Sequence, residues 1–353
     1  MMALEHEELH VRRGERTGLY VIIAVHSTRL GPALGGARLW HYTTPGDGVA
    51  DALRLASAMT LKAAAAGLDL GGGKCVICAE GEIAGGRRRE LMLDLGDAVG
   101  ELEGRYITAE DVGTSSADMA LVAERTEHVV GLPAELGGRG DPGPLTARGV
   151  EAAIRACLAH RYGDPDPARR RVCVVGLGHV GLDLSERLAA AGAELTVTDI
   201  DPDRRQDARR LGARWVHADR AAEVQCDVLA PCALGGAVHD GNVEALRCGI
   251  VCGSANNVLA DDTLAERLHS REIVYAPDFI ANAGGLINVY GELHGLDQHR
   301  VDELVDGIGP VVEAVLAEAA RRGDTPLGTA RTLARERLGH AGGRDRAPAR
   351  LSA

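Results

Sequence analysis

The stretch Val172-Cys173-Val174-Val175-Gly176-Leu177-Gly178-His179-Val180-Gly181 limits the possible folds more than any other part of the chain. A short β-rich run opens directly into G-x-G-x-x-G, and the residues that follow continue with helical spacing. The next β-rich run, residues 195–198, ends at Asp199, eighteen residues after Gly181. Strand, glycine turn, helix and a carboxylate closing the second strand together make the dinucleotide-binding fingerprint of a parallel α/β sheet. The glycines allow a pyrophosphate to approach the helix N-terminus, where free N–H groups and the helix dipole attract an anion. A carboxylate at Asp199 accepts the two ribose hydroxyls of NAD and repels the 2′-phosphate of NADP. Arg204 and Arg205 lie close by in sequence and soften that preference. NAD is therefore the expected cofactor, held by Gly176, Leu177, Gly178, His179, Val180, Gly181 and Asp199.

The same rhythm continues, with β-rich runs at 172–175, 195–198, 228–230, 250–252 and 273–275 separated by helical segments. That alternation predicts a parallel sheet with crossover helices. At 353 residues the chain is too long for one ordinary core. The stretch GGRGDPGP at 137–144 is its best linker, so the expected division is 1–140 and a Rossmann domain over 141–319.

In the first block, 18–29 reads as a strand and Gly31–Gly36 as a Gly/Pro-rich loop. Val49, Leu53, Ala56, Met59 and Ala63 recur at helical spacing until Gly67, where the helix ends. A strand follows Lys74, and another at 105–108 leads into a loop at 109–113. The arginine clusters at 87–89 and 169–171 read as solvated loop ends.

Composition excludes several classes. A net charge of −12 argues against nucleic acid, and no apolar run is long enough to span a membrane. The start, MMALEHEELH, has no secretory h-region. Eight cysteines scattered among strand-like runs read as reduced thiols of a cytoplasmic protein. Cys75 and Cys78 form C-x-x-C without a second pair or ligand histidines, so no metal is expected. The last stretch, GHAGGRDRAPARLSA, reads as a disordered tail.

Of the 39 Lys and Arg residues only two are lysines, Lys62 and Lys74, and both lie in LKAAAAGLDLGGGK. Arginine keeps its proton in a protein, whereas lysine can be tuned to release it. Lys62 falls in the last turn of a helix, where a cation complements the dipole or could bind a carboxylate. Lys74 enters an apolar strand, so burial and a second ammonium nearby would lower its pKa toward neutrality and suit it to acid–base work. The AAAAG and GGG segments would turn the chain sharply and bring both amines to one cleft. Asp111, at a strand's C-terminal end, is either a catalytic carboxylate or a cap.

The segments GPALGGAR (31–38), MTLKAAAAGLDLGGGK (59–74), TAEDVGT (108–114), APCALG (230–235), GSANN (253–257) and YAPDFIANAGGLIN (275–288) resemble the glutamate/leucine/phenylalanine/valine dehydrogenase superfamily, in its branch acting on apolar amino acids. The resemblance implies two α/β domains, the first for substrate binding and oligomerisation, closing over a cleft, with a C-terminal return at 320–345. It implies NAD-dependent oxidative deamination of an L-amino acid to its 2-oxo acid and ammonium, by a homo-oligomer. Lys62 would bind the substrate α-carboxylate with the backbone of Gly35 and Gly36, Lys74 would activate water, and Asp111 would trade protons with the amine. Thr146 would lie near the nicotinamide amide, and Asn256 near the nicotinamide ribose and substrate.

Leu34 and Val289 stand where glutamate-specific relatives hold a distal carboxylate. Both are apolar, so glutamate would bury an unpaired charge. Ala109 is typical of leucine-type enzymes, Leu286 of phenylalanine-type ones. The expected substrate is of leucine or valine type, with phenylalanine as the alternative. A catalytically silent NAD- or amino-acid-binding regulator is the reading of a different class. A hydroxy-acid dehydrogenase lacks its expected Arg/His pair.

Overall fold

A computed structural model of the chain describes residues 5–79, 81 and 83–341, so most of the expected tail lies outside the described residues. The chain forms two compact units. One comprises the residues up to Gly138 and from Thr332 onward, the other Arg139–Arg331.

The first unit is a mixed sheet of β1 (Glu8–Arg13), β2 (Tyr20–Ser27), β3 (Ala33–Trp40), β4 (Gly71–Cys78) and β5 (Tyr106–Glu110), with α1 (Pro45–Ala65), α2 (Gly85–Gly100) and α3 (Ser116–Val122). Its order is β1-β2-β4-β3-β5. Strands β3, β4 and β5 run parallel, and β2 runs against both its neighbours. Strand alternation sorts the faces. Val21, Ile23, Cys75 and Ile77 pack with Leu91, Leu95 and Val99 of α2 and Met119 of α3. On the other face Ile22, Ala24 and Val76 meet Ala52 and Ala56 of α1. Helix α1 begins at a Thr44/Asp47 capping box.

The glycines of this unit act differently from the sequence-based expectation. Gly71, Gly72 and Gly73 make no turn: they are buried residues of β4. A Cβ at Gly72 would lie 2.1 Å from the Thr60 backbone nitrogen, so this glycine lets α1 press onto the sheet. The turn is made by Gly67 alone, at φ +76°. Gly35 and Gly36 likewise belong to β3 rather than to a loop, and Ala109 and Glu110 belong to β5. Arg87–Arg89 sit in α2, where Arg88 pairs with Asp118 at 2.6 Å, rather than at a loop end. Cys75 and Cys78 belong to packing groups on opposite faces of the sheet and so cannot converge on one ion. From the C-terminal segment, Arg337 donates to the carbonyls of Ala64 and Gly67 at the end of α1 (2.9 and 2.8 Å).

The second unit contains α4 (Gly143–Tyr162), β6 (Arg171–Val175), α5 (His179–Ala190), β7 (Glu194–Thr198), α6 (Arg205–Arg210), β8 (Arg214–Trp215), β9 (Val228–Pro231), β10 (Ile250–Val251), α7 (Leu264–Ser270), β11 (Val274–Tyr275), α8 (Asp278–Ala281) and α9 (Gly284–Leu293). Helices at Gln298–Asp306 and Ile308–Arg322 follow. All six strands are parallel, in the order β11-β10-β9-β6-β7-β8. This is the doubly wound arrangement, and its direction of winding switches beside β6. Strand β8 has only two paired residues, too few for a periodic signal in the sequence. Among the described residues no helix is long and apolar enough to cross a membrane.

Candidate active site

Strand alternation places Gly72, Lys74 and Val76 on the face of β4 that α1 covers. The register of β3 against β4 and β5 brings Leu34, Gly36, Arg38 and Ala109 to that same face. Asp111 is the second residue past Ala109, just beyond the end of β5. The Lys74 side chain is only 6% exposed, and its Nζ lies 2.6 Å from Asp111 Oδ2. Burial pushes the Lys74 ammonium down; Asp111 opposes that, Arg38 adds to it, and the net direction is downward. Burial raises the Asp111 carboxyl, but Lys74 and Arg38 outweigh it and hold the group below the ordinary carboxylate range. The Arg38 guanidinium is a neighbouring cation that acts on Lys74 and that the sequence reading did not name.

Asp111 is no cap: its carboxylate accepts from Lys74 and from Arg38 Nε (3.0 Å). Its backbone N–H donates to Thr114 Oγ1 (2.9 Å), whose hydroxyl donates to the Ala37 carbonyl on β3 (2.8 Å). Gly36 clears the space beside it. A Cβ at Gly36 would lie 2.7 Å from the Asp111 Cβ and 2.5 Å from the Glu110 carbonyl oxygen. A methyl group there must displace Asp111, and small misplacements at a reacting centre cost about 100-fold. Gly36→Ala is therefore expected to lower kcat by about 100-fold while leaving cofactor affinity, read by nicotinamide fluorescence, unchanged. A Cβ at Gly35 would lie 1.8 Å from the Gly73 carbonyl oxygen, so β3 and β4 demand glycine there. Lys62 is half-buried in the last turn of α1, and Leu34 and Ala109 are buried.

In the second unit each fingerprint glycine has its own reason. Gly176 turns the chain at φ +100°. A Cβ at Gly181 would lie 1.9 Å from the Gly176 carbonyl oxygen, so the third glycine permits close packing of α5. At Gly178 a Cβ would meet nothing within 4 Å, and this residue begins α5 with no side-chain cap. The result is an open cradle of uncapped N–H groups, which fits a pyrophosphate. Asp199 follows β7 and accepts from the Leu177 N–H (2.6 Å) and the Asp201 N–H (2.9 Å), which ties it to the glycine turn. His179 is exposed, with Nδ1 3.6 Å from Asp141. Arg204 pairs with Asp207, and Arg205 lies over the Trp215 ring at 5.5 Å.

Thr146 lies in the first turn of α4, donating to the Pro142 carbonyl (2.9 Å). Gly284 and Gly285, which open α9, pack against Leu145 and Thr146. Leu286 and Val289 share one face of α9, the first buried and the second half-buried. Asn256 is exposed, and its Oδ1 accepts from Asn282 Nδ2 at 2.9 Å. Asn282 is buried, its amide also reaching the carbonyls of Ser254 and Ala255.

Sequence reasoning missed Arg38, Asp51, Tyr42, Thr114 and Asn282. Arg38, Thr114 and Asn282 lie in segments that carry the family resemblance, and Arg38 also lies two residues after Gly36, hence on the same strand face.

Comparisons with known proteins identify the family. Residues 6–128 match the family described as Glu/Leu/Phe/Val dehydrogenase, dimerisation domain, and residues 203–342 the family Glutamate/Leucine/Phenylalanine/Valine dehydrogenase. Residues 172–225 also match a TrkA-N domain. The leucine dehydrogenase of Thermoactinomyces intermedius is 42% identical over 339 residues, covering 96% of this chain and 92% of its own. The valine dehydrogenase of Streptomyces coelicolor is 43% identical over 340 residues, covering 95% and 93%. The crystal structure of L-tryptophan dehydrogenase from Nostoc punctiforme superposes with a TM-score of 0.86 at 34% identity, covering 96% of this chain and 97% of its own. A Rossmann-type unit in such a chain implies a nicotinamide cofactor. The chain belongs to the glutamate/leucine/phenylalanine/valine dehydrogenase family, in the branch that includes the leucine and valine dehydrogenases.

Proposed function

We propose that the protein catalyses the reversible oxidative deamination of an apolar L-amino acid of leucine or valine type, with NAD, to the 2-oxo acid and ammonium. The observation that carries this reading is the contact of buried Lys74 with half-buried Asp111 at 2.6 Å, on a sheet face where Leu34 and Ala109 supply apolar walls. Bound NAD would accept a hydride from the substrate Cα. Lys62 holds the α-carboxylate, helped by the backbone of Gly35 and Gly36. Asp111, kept ionised, takes a proton from the substrate ammonium and returns one to the departing amine. Lys74, unprotonated, accepts a proton from the water that attacks the imine carbon; once protonated, it stabilises the oxygen that develops there.

Gly176, Gly178, Gly181, Leu177, His179 and Val180 surround the pyrophosphate, and Asp199 takes the adenosine ribose. Arg204 and Arg205 are occupied by Asp207 and Trp215, which supports NAD over NADP. Thr146 and Asn256 attend the nicotinamide end. Asn282 fixes which end of the Asn256 amide faces outward. Asn282→Leu is expected to raise the KM for NAD about tenfold, as measured by initial rates, because the freed Asn256 side chain loses its orientation. The protein works in the cytoplasm as a homo-oligomer. This assembly is supported by the match of its first unit to a family described as a dimerisation domain.

The test is NADH absorbance with leucine, valine, isoleucine, phenylalanine, tryptophan and glutamate, run with NAD and with NADP. Leucine or valine should give the highest kcat/KM. Glutamate should lie at least about 10⁴-fold lower, because its carboxylate would be buried unpaired. Best turnover with phenylalanine or tryptophan would move the substrate to an aromatic amino acid, and no turnover with any apolar amino acid would refute the reading.

A further inference from the structure

We propose that Arg38 is a positioning residue that holds Asp111 and sets the proton affinity of Lys74, and that Asp51, Tyr42 and Arg54 brace it. This inference rests on the catalytic reading of Lys74 and Asp111 given above. One oxygen, Asp111 Oδ2, receives both Lys74 Nζ (2.6 Å) and Arg38 Nε (3.0 Å). The far side of the same guanidinium, Arg38 Nη1, reaches Asp51 Oδ2 at 3.0 Å. Asp51 is in turn held by the Tyr42 hydroxyl (2.7 Å) on that oxygen and by Arg54 (2.6 Å) on the other. The planar fork is thus gripped at two ends by carboxylates from different elements, the end of β5 and helix α1, which fixes its orientation.

Charged and titratable groups that act on Lys74 and Asp111 include Arg38 from β3, Cys75 from β4 and Tyr106 from β5, with Glu110 adjoining Asp111 in the chain and Lys62 on the covering helix α1. Asp51 and Arg54 of α1 and Tyr42 stand behind Arg38. Burial keeps the Cys75 thiol and the Tyr106 hydroxyl uncharged, so neither offsets the charge of Arg38. Arg38 keeps its proton throughout. It therefore supplies a constant positive charge while Lys74 and Asp111 exchange theirs, and that charge makes Lys74 release its proton more readily.

The chain's two lysines make a direct test possible. Protein grown on [13Cε]lysine gives two lysine Cε signals, and the one lost in Lys74→Arg is Lys74. Arg38→Gln should move the Lys74 titration midpoint up by about one pH unit, with the acidic limb of kcat/KM moving alongside. Arg38→Lys keeps the charge and loses the fork; its third Cε signal is the one absent from the wild type, and the Lys74 midpoint should stay near wild type while kcat falls about tenfold. Asp51→Asn removes the negative charge that screens Arg38 and should move the midpoint down. Where Arg38→Gln does not fold, the last two variants carry the test. A midpoint unmoved in Arg38→Gln, one moved in Arg38→Lys as far as in Arg38→Gln, or one moved upward by Asp51→Asn overturns the proposal. The titration needs no turnover. A chain that titrates as described but does not oxidise amino acids would refute the catalytic reading alone. An active chain whose midpoint ignores Arg38 would refute only the role given to Arg38.

Discussion

Lys74→Ala is expected to lower kcat by about 10³- to 10⁴-fold, the range of a lost general acid–base. The nucleotide fingerprint belongs to the other unit, so NAD affinity measured by fluorescence titration should stay within about twofold. The informative companion is Lys74→Arg. It preserves a cation at the 2.6 Å contact with Asp111 but cannot yield its proton near neutral pH. If Lys74 served only as a fixed charge, the arginine variant would keep most of the rate. If it carries protons, both variants fail together. Activity above about a tenth of wild type in Lys74→Arg would exclude the proton-carrying role. A silent regulator would behave differently again, with ligand binding retained and no turnover to lose in the wild type.

Asp111→Asn is expected to lower kcat by about 100- to 1,000-fold, since the amide keeps the shape but neither takes a proton nor carries charge. Its pH signature carries more information than its size. Asp111 is the neighbour that opposes the burial of the Lys74 ammonium, so its removal lets Lys74 lose its proton at lower pH. In the wild type, kcat/KM should rise with pH as Lys74 becomes neutral. In Asp111→Asn that rise should appear at lower pH, on a much smaller rate. A rise displaced to higher pH would mean that the limb belongs to another group.

The two units were unequally legible in the sequence, and the reason lies in the range of the contacts. The second unit announces itself locally: strand, glycine turn, helix and Asp199 follow one another within a single βαβ stretch, and their roles are set by immediate neighbours. In the first unit the glycines at 35, 36 and 72 look like loop residues because their reasons are distant in the chain. Gly35 meets Gly73, Gly36 meets Asp111, and Gly72 meets Thr60. No local pattern distinguishes such a glycine from one in a turn. Lys62 and Lys74 stood out because lysine is so rare here, whereas Arg38 was hidden by the abundance of arginine. Asn282 lies in a segment that carries the family resemblance, but nothing local marked it there: its importance depends on a hydrogen bond to Asn256, twenty-six positions away.

The most direct measurement is the mass of the reduced cofactor formed from L-[2-²H]leucine and NAD. Hydride transfer from the substrate Cα predicts NADH carrying one deuterium, formed in equal amount with the 2-oxo acid and ammonium. Unlabelled NADH, or none at all with leucine, valine and phenylalanine alike, would contradict the account.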